Sequence, residues 1–332
     1  MIPKPYLLFL GEAKDELAIK TASGVHFWRP EWCMGQIRFS NAKAKLDLPE
    51  MTIKEAVEKG AKTFVIGVVN AGGVMPDSWR EVILDAINSG MDIASGMHSR
   101  LSSFKEFEDA AKKNGVQLHD LRFNEKVFDT GKGSKRKGKR LLTVGTDCSV
   151  GKKYTALAVE KALKDSGINA SFKATGQTGV LIAENGIAID AIVSDFISGA
   201  VEWLSPDNDE NSWDIIEGQG SLLNPGSTAT LPLMRGSCPN NMILCHRFGL
   251  EQVESETEVN IPPLKEVINL NESLVSSLGL FSSAKVMGIA LDTRKLDDNM
   301  AKSELQRIED ELSLPATDPV RFGCKKLADA II

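Results

Sequence analysis

The 332-residue chain has no CxxC pair, and its five cysteines are an odd number. Such usage suits a reduced cytosolic protein better than a disulfide framework. No uninterrupted apolar run approaches the ~18 residues of a membrane span, so no membrane partner is expected. The opening Met1-Ile2-Pro3-Lys4-Pro5 leads straight into a short apolar strand. It lacks the longer apolar region and cleavage site of a signal peptide, and a cytoplasmic location is expected. Positive charge is not in excess: the net charge of −6 argues against a nucleic-acid partner. What remains, 42% hydrophobic and 25% charged residues over a length sufficient for two domains, describes a globular protein.

A further absence bears on function. Tyr6 to Leu10 reads as a strand ending at Gly11, the place for a dinucleotide fingerprint, but Glu12, Ala13 and Lys14 follow and there is no GxGxxG. Beyond it, strands alternate with helices: a helix over Thr52 to Lys59, a strand over Thr63 to Val69, a helix over Trp79 to Asn88, a strand over Asp92 to Ala94, a helix over Phe104 to Asn114 and a strand over Val116 to Leu118. That alternation predicts a parallel sheet, with the loops Asn70 to Gly73 and Ser95 to Arg100 on its ligand-facing rim. His98 there reads equally well as a structural and as a catalytic histidine. The stretch from Trp28 to Arg38 carries two of the five tryptophans. It is read as a loop, either packed by its indoles or forming a substrate wall in which arginine takes a carboxylate. Gly131 to Arg140 holds six basic residues and no apolar one, and reads as a solvated linker. The expected organisation is therefore α/β with two domains: an N-terminal Rossmann-like parallel sheet over 1–130, a basic linker over 131–140, and a C-terminal P-loop NTPase-like parallel sheet over 141–332.

The second domain opens on Leu141-Leu142-Thr143-Val144-Gly145-Thr146-Asp147-Cys148-Ser149-Val150-Gly151-Lys152-Lys153. An apolar strand, a glycine-bounded loop and a helix start are the order a phosphate cradle needs. Backbone N–H groups point inward, the helix N-terminus adds partial positive charge, and Lys152 adds a full one. The cradle residues are Gly145, Thr146, Asp147, Cys148, Ser149, Val150, Gly151, Lys152, Lys153 and Tyr154. Against the common GxxxxGK[ST] pattern the loop is one residue longer, and Lys153 replaces the Ser or Thr that holds Mg²⁺ on a nucleotide. Mg²⁺ is therefore expected only if the ligand is a nucleoside triphosphate, and no other metal is expected. Downstream, Ala170 to Lys173 leads into the small, polar loop Ala174 to Gly179. Asp190 and Asp195 read, as a pair, as a helix cap and a turn. Trp213 to Ile216 ends in Glu217, an acid at a strand tip, and Met242 to Cys245 ends in His246 and Arg247. Lys285 to Leu291 is a further strand, followed by a helix over Asn299 to Leu312, then Leu314 to Pro319 as a strand and rigid turn, and a short last helix.

GTDCSVGK is similar to the cradle of dethiobiotin synthetase-type P-loop proteins, and Glu217-Gly218 fits their acidic strand end. Together with Trp28 to Gln36, Asn70 to Gly73, Ser95 to Leu101, Glu217 to Leu222, Gly288 to Leu291 and Leu314 to Pro319, nearly the whole chain resembles one family. That family was long catalogued as a domain of unknown function and pairs a Rossmann-like domain with a P-loop domain. Members are similar to the bacterial D-glutamate N-acetyltransferase, which uses acetyl-CoA and acts in D-amino-acid catabolism beside an N-acetyl-D-glutamate racemase. Family members carry Thr where this chain has Tyr154. The resemblance implies acyl transfer from acetyl-CoA to the amine of D-glutamate or a related D-amino acid, with a small-molecule substrate and a homo-oligomer. Such a reaction needs a base, donors for an oxyanion and cations for a dicarboxylate. Glu217, Asp147 and His246 are the candidate bases. Arg29, Arg38, Arg100, Gln177 and Arg247 are the candidate substrate ligands. Two other readings stay open: an ATP- and Mg²⁺-dependent carboxylate-activating ligase, and a non-catalytic nucleotide or CoA sensor.

Overall fold

Apolar runs without polar alternation build two sheets in which every pairing is parallel. Such strands are covered on both faces, which is why they read as continuous hydrophobic stretches. The computed structural model describes all residues except 70, 255–257, 277–280 and 282; the expected rim residue Asn70 lies outside the described residues. The chain divides into two units, Met1–Glu125 with Val180–Ala188, and Lys126–Gly179 with Ile189–Ile332. No helix among the described residues is long and apolar enough to cross a membrane.

The N-terminal unit contains β1 (Tyr6–Phe9), α1 (Lys20–Trp28), β2 (Cys33–Ile37), α2 (Ile53–Glu58), β3 (Thr63–Ile66), α3 (Arg80–Asn88), β4 (Asp92–Ser95), α4 (Lys105–Asn114) and β5 (Leu118–Asp120), with sheet order β2-β1-β3-β4-β5. Thr52 and Glu55 start α2 with a reciprocal capping box, and Gly115 ends α4 in the left-handed conformation. The stretch from Trp28 to Arg38 is a correction to the expected loop. Trp28 closes a helix, Pro30–Trp32 makes one tight turn, and Cys33–Ile37 is an edge strand on β1. The last strand lies two residues later than expected, at Leu118–Asp120.

The rim of this sheet is closed at the tip of β1. Gly11 has φ +54, and a Cβ there would meet the Trp79 ring at 3.2 Å. The Trp79 indole donates to Glu12 Oε2 at 2.7 Å and is itself buried. Beyond β3, a Cβ on Gly67 would meet that of Ala22 in α1 at 2.5 Å. In this strand order a ligand crevice would open between the ends of β1 and β3, and here indole and helix occupy those positions. His98 is exposed, its ring pressed on Gly73 and its backbone N–H donating to the Gly73 carbonyl at 2.8 Å.

The C-terminal unit holds β6 (Lys139–Gly145), α5 (Lys152–Asp165), β7 (Ala170–Lys173), α6 (Gln177–Ala183), α7 (Ser194–Leu204), β8 (Trp213–Ile216), α8 (Thr230–Ser237), β9 (Asn241–Arg247), α9 (Leu264–Ser276), β10 (Lys285–Asp292), α10 (Asp298–Leu312), β11 (Ala316–Thr317) and α11 (Lys325–Asp329), α6 crossing into the other unit at Val180. The order is β11-β10-β9-β6-β8-β7. The chain turns to one side of β6 for β7 and β8 and to the other for β9 to β11. A ligand crevice is therefore expected at the carboxyl ends of β6 and its neighbours. The basic run entering this sheet is only in part the solvated linker that its composition suggests: Lys132, Lys135 and Lys137 are exposed, but its end is not. Lys139 and Arg140 belong to β6, and Arg140 is buried. Its guanidinium donates to Ser205 Oγ at 2.9 Å and to the carbonyls of Lys137 and Pro206 at 3.0 and 2.8 Å, while Arg136 donates to those of Ser205 and Gly236. A buried guanidinium is tolerated because carbonyls surround it.

Candidate functional site at the C-terminal sheet rim

The register of β6 aligns the site. Leu142 sits beside Ile216 of β8, and Gly145 beside Cys245 of β9, so Glu217 and His246 follow at the tips flanking the cradle. The loop from Gly145 reaches α5 through Ser149 at φ 54 and Gly151 at φ 98. These left-handed residues turn the chain so that α5 begins at Lys152. Lys152 is 6% exposed and donates from Nζ to the Asp147 carbonyl at 2.6 Å. An ammonium has three donors, and this is its one hydrogen-bond partner among the described residues. Burial pulls its pKa down, opposed by Cys148, Cys245, Asp147 and Glu217. A buried cation folded back onto its own loop, with donors to spare, fits a phosphate.

Gly218 shows how tightly the acidic tip is seated. Its N–H donates to Thr143 Oγ1 at 2.9 Å, and a Cβ there would stand 1.7 Å from the Thr143 carbonyl oxygen. Glu217 is 4% exposed. Its Oε2 accepts from the N–H groups of Thr175 and Gly176 at 3.0 and 3.2 Å. A Cβ on Gly179 would meet the same oxygen at 2.2 Å, which explains the glycine in that small loop. Burial pushes the Glu217 pKa up to about 7, against the pull of Lys153, the two N–H groups and Lys152. Lys153, at the position usual for a metal-binding hydroxyl, thus sets an ammonium charge near this carboxylate. Thr155, the nearest hydroxyl beyond Tyr154, is buried and donates to the Gly151 carbonyl at 3.0 Å. Tyr154 is driven up to about 12 by burial, with Arg294 opposing.

Asp147 and His246 have different surroundings. Asp147 is wholly buried. One oxygen accepts from Cys148 N–H at 2.6 Å and Asn224 Nδ2 at 2.8 Å, the other from Glu254 N–H at 2.7 Å. His246 Nδ1 lies 2.9 Å from Thr146 Oγ1, and burial followed by Arg247 lowers its pKa to about 4. Ser221 Oγ closes the far side of the loop by donating to the Thr146 carbonyl at 3.0 Å. Cys148 is exposed, with its sulfur 3.4 Å from Ser227 Oγ.

The candidate substrate ligands fall in both units. Arg247 stands at the tip of β9 and forms an ion pair with Glu254. Gln177 begins α6 on the loop that donates to Glu217. Arg29, Arg38 and Arg100 belong to the N-terminal unit. There Arg29 donates to the Trp28 carbonyl and lies over the Trp32 ring, Arg38 grips Glu50 and the Ala42 carbonyl, and Arg100 lies over Phe123. Thr175, Gly176, Asn224 and Glu254 complete the site without having been singled out from sequence. Only the small-residue loop around Thr175 hinted at its place.

The comparisons with known proteins agree with this architecture. Over 332 residues the chain is 42% identical to a protein of Tritonibacter scottomollicae named D-glutamate N-acetyltransferase, covering 100% of this chain and 99% of that one. A protein of the same name from a Pseudoalteromonas species is 42% identical over 323 residues, 97% of each chain. The crystal structure of a DUF1611 family protein from Anabaena variabilis superposes with a TM-score of 0.90 at 35% identity, covering 99% of both chains. Residues 38–124 match the Rossmann-like domain model of that family, described as a domain of unknown function (DUF1611_N). Residues 127–328 match its P-loop domain model (DUF1611_C). The chain therefore belongs to the DUF1611 family, with a Rossmann-like N-terminal domain and a P-loop C-terminal domain.

Proposed function

We propose that this protein transfers an acetyl group from acetyl-CoA to the amine of D-glutamate, and that the C-terminal cradle grips a phosphate of CoA. The observation that carries the reading is Lys153 at the position where a nucleotide-hydrolysing loop sets a metal-binding hydroxyl, with Glu217 buried at the neighbouring strand tip and its charged form favoured by Lys153 and Lys152. Such a cradle suits a phosphate carrier that is held and not cleaved. The names of the two relatives, 42% identical over nearly the whole chain, support the acetyl acceptor.

In this reading each rim residue has one task. Lys152 and the N–H groups from Ser149 to Gly151 hold phosphate. Glu217, with a pKa near neutrality, takes a proton from the acceptor nitrogen as that nitrogen bonds to the thioester carbon. The C–S bond then breaks and the CoA thiolate leaves to be protonated, so one amide and one thiol replace one amine and one thioester. His246, lowered to about 4, is neutral and too weak a base at pH 7, so it orients Thr146. Asp147, with three N–H donors on it, braces the loop. The test is release of free CoA thiol when purified protein meets acetyl-CoA and D-glutamate. Thiol release that depends on D-glutamate supports the reading. ADP release from ATP and Mg²⁺ with the same amino acid, and no thiol, would replace it with a ligase.

A further inference from the structure

Arg247 is the one proposed substrate ligand that a carboxylate of the chain itself already holds at the cradle. It lies next to His246 at the tip of β9, two residues beyond the Cys245 that pairs with Gly145. Its side chain is 14% exposed, and its ion-pair partner among the described residues is Glu254, whose side chain is 49% exposed. The segment before Glu254 is fixed by antiparallel pairing: Val253 N–H donates to the Val259 carbonyl at 3.0 Å, Ile261 N–H to that of Glu251 at 2.8 Å, and Val253 is buried. The same Glu254 gives its backbone N–H to Asp147 Oδ2.

We propose that Arg247 is the anchor for a carboxylate of the acceptor amino acid, and that Glu254 keeps its place until the acceptor arrives. This rests on the acetyl-transfer reading above for the identity of the acceptor. The guanidinium fork matches a carboxylate, and Arg247, unlike the carbonyl-ringed Arg140, is paired with one. The chain supplies one chemically identical to the side-chain carboxylate of glutamate, from a residue exposed enough to swing into water. Exchanging one carboxylate for another keeps the charge on Arg247 constant, so the exchange avoids leaving a buried charge bare. Arg294, just past the tip of β10, is closed on its own neighbour Asp292 through Nε and Nη2. Because Glu254 also donates to Asp147, the acceptor anchor and the brace of the phosphate loop share one residue. The side chain of Glu254 can leave Arg247 while its backbone stays on Asp147.

An internal competitor lowers apparent affinity by the fraction of molecules in which the anchor is free. Glu254→Gln, near-isosteric and half exposed, removes the competitor. Calorimetric titration should then show D-glutamate and glutarate, a dicarboxylate without the amine, binding about three- to tenfold more tightly than to the unaltered protein. Arg247→Ala should weaken both by about a hundredfold, with CoA binding changed far less. Unchanged or weaker dicarboxylate binding in Glu254→Gln overturns the proposal. So does an equal loss of CoA and dicarboxylate binding in Arg247→Ala, which marks a structural role; retention of the thermal unfolding midpoint in both variants excludes misfolding as the cause. If the unaltered protein releases no thiol with D-glutamate, the acetyl-transfer reading fails, and the glutarate titration still decides whether Arg247 is a carboxylate anchor that Glu254 occupies.

Discussion

Both sheets of this protein are parallel, and both bring a glycine to the end of an inner strand, yet the two glycines face opposite fates. At Gly11 the space a ligand would need is filled by the Trp79 indole, bonded to Glu12, and the neighbouring Gly67 is backed by Ala22. At Gly145 a seven-residue turn from Gly145 to Gly151 leads to a buried lysine whose one partner, among the described residues, is its own loop. The difference lies in what the following residues can satisfy. The N-terminal rim leaves its aromatic N–H and carboxylate paired with each other. The C-terminal rim buries Lys152 and Glu217 with fewer partners than their chemistry can use. Unspent donors and a carboxylate near neutrality are costs in a structural element and assets in a site.

The largest expected consequence falls on Glu217. Glu217→Gln keeps the shape and one acceptor oxygen for Thr175 and Gly176 but cannot take a proton. Thiol-release assays should show kcat falling about 10²- to 10⁴-fold. The pH dependence has a definite sign. The base works ionised, so kcat/KM should rise with a midpoint near pH 7, and this limb should vanish in Glu217→Gln. Because the folded pKa lies above the ordinary carboxylate value, the same group favours the fold most at low pH, and this contribution is lost as pH rises through about 7. A pH-independent rate through this range would remove Glu217 as the base. Next in size is Lys152→Ala. Loss of charge-assisted hydrogen bonds to a phosphate should weaken CoA binding about 10- to 100-fold, with dicarboxylate binding changed much less, as titration would read. Equal weakening of both would mean that the loop had collapsed.

How much of this contrast is legible in sequence depends on the range of the forces involved. The strands Ala170–Lys173 and Trp213–Ile216 and the helix Lys152–Asp165 fall where apolar runs bounded by glycine and polar residues put them. These are local patterns. The strand Cys33–Ile37 is hidden because it sits at the sheet edge and carries Gly35 and Gln36. Its pairing comes from β1, and the Gln36 amide is satisfied by the carbonyls of Leu46 and Leu48. Arg140 reads as part of a wet basic run, although Ser205 and Pro206, 65 and 66 residues away, hold it inside. Asp147 has the same history. In sequence it is an acid in a phosphate loop and so a candidate base. Its partners Asn224 and Glu254, 77 and 107 residues distant, make it a brace. Residue type announces that a charge matters; only long-range partners say whether its oxygens are free to react.

The smallest expected effect on catalysis is the one that bears most directly on the comparison. Trp79→Phe keeps most of the ring volume over Gly11 but removes the N–H that Glu12 accepts. A part-buried carboxylate that loses its donor costs about 1–3 kcal/mol, partly relieved because Glu12 is not fully buried. For a domain of this size that corresponds to a melting midpoint lower by about 2–4 °C per kcal/mol. If the N-terminal rim is closed for packing, the variant should melt earlier and yet keep kcat and both KM values. A changed KM for D-glutamate with an unchanged midpoint would mean that the N-terminal rim takes part in binding, and the contrast between a filled tip and a waiting one would have to be withdrawn. The indole is the right place to ask, because it supplies the three heavy atoms nearest to a Cβ on Gly11 and makes the hydrogen bond to Glu12.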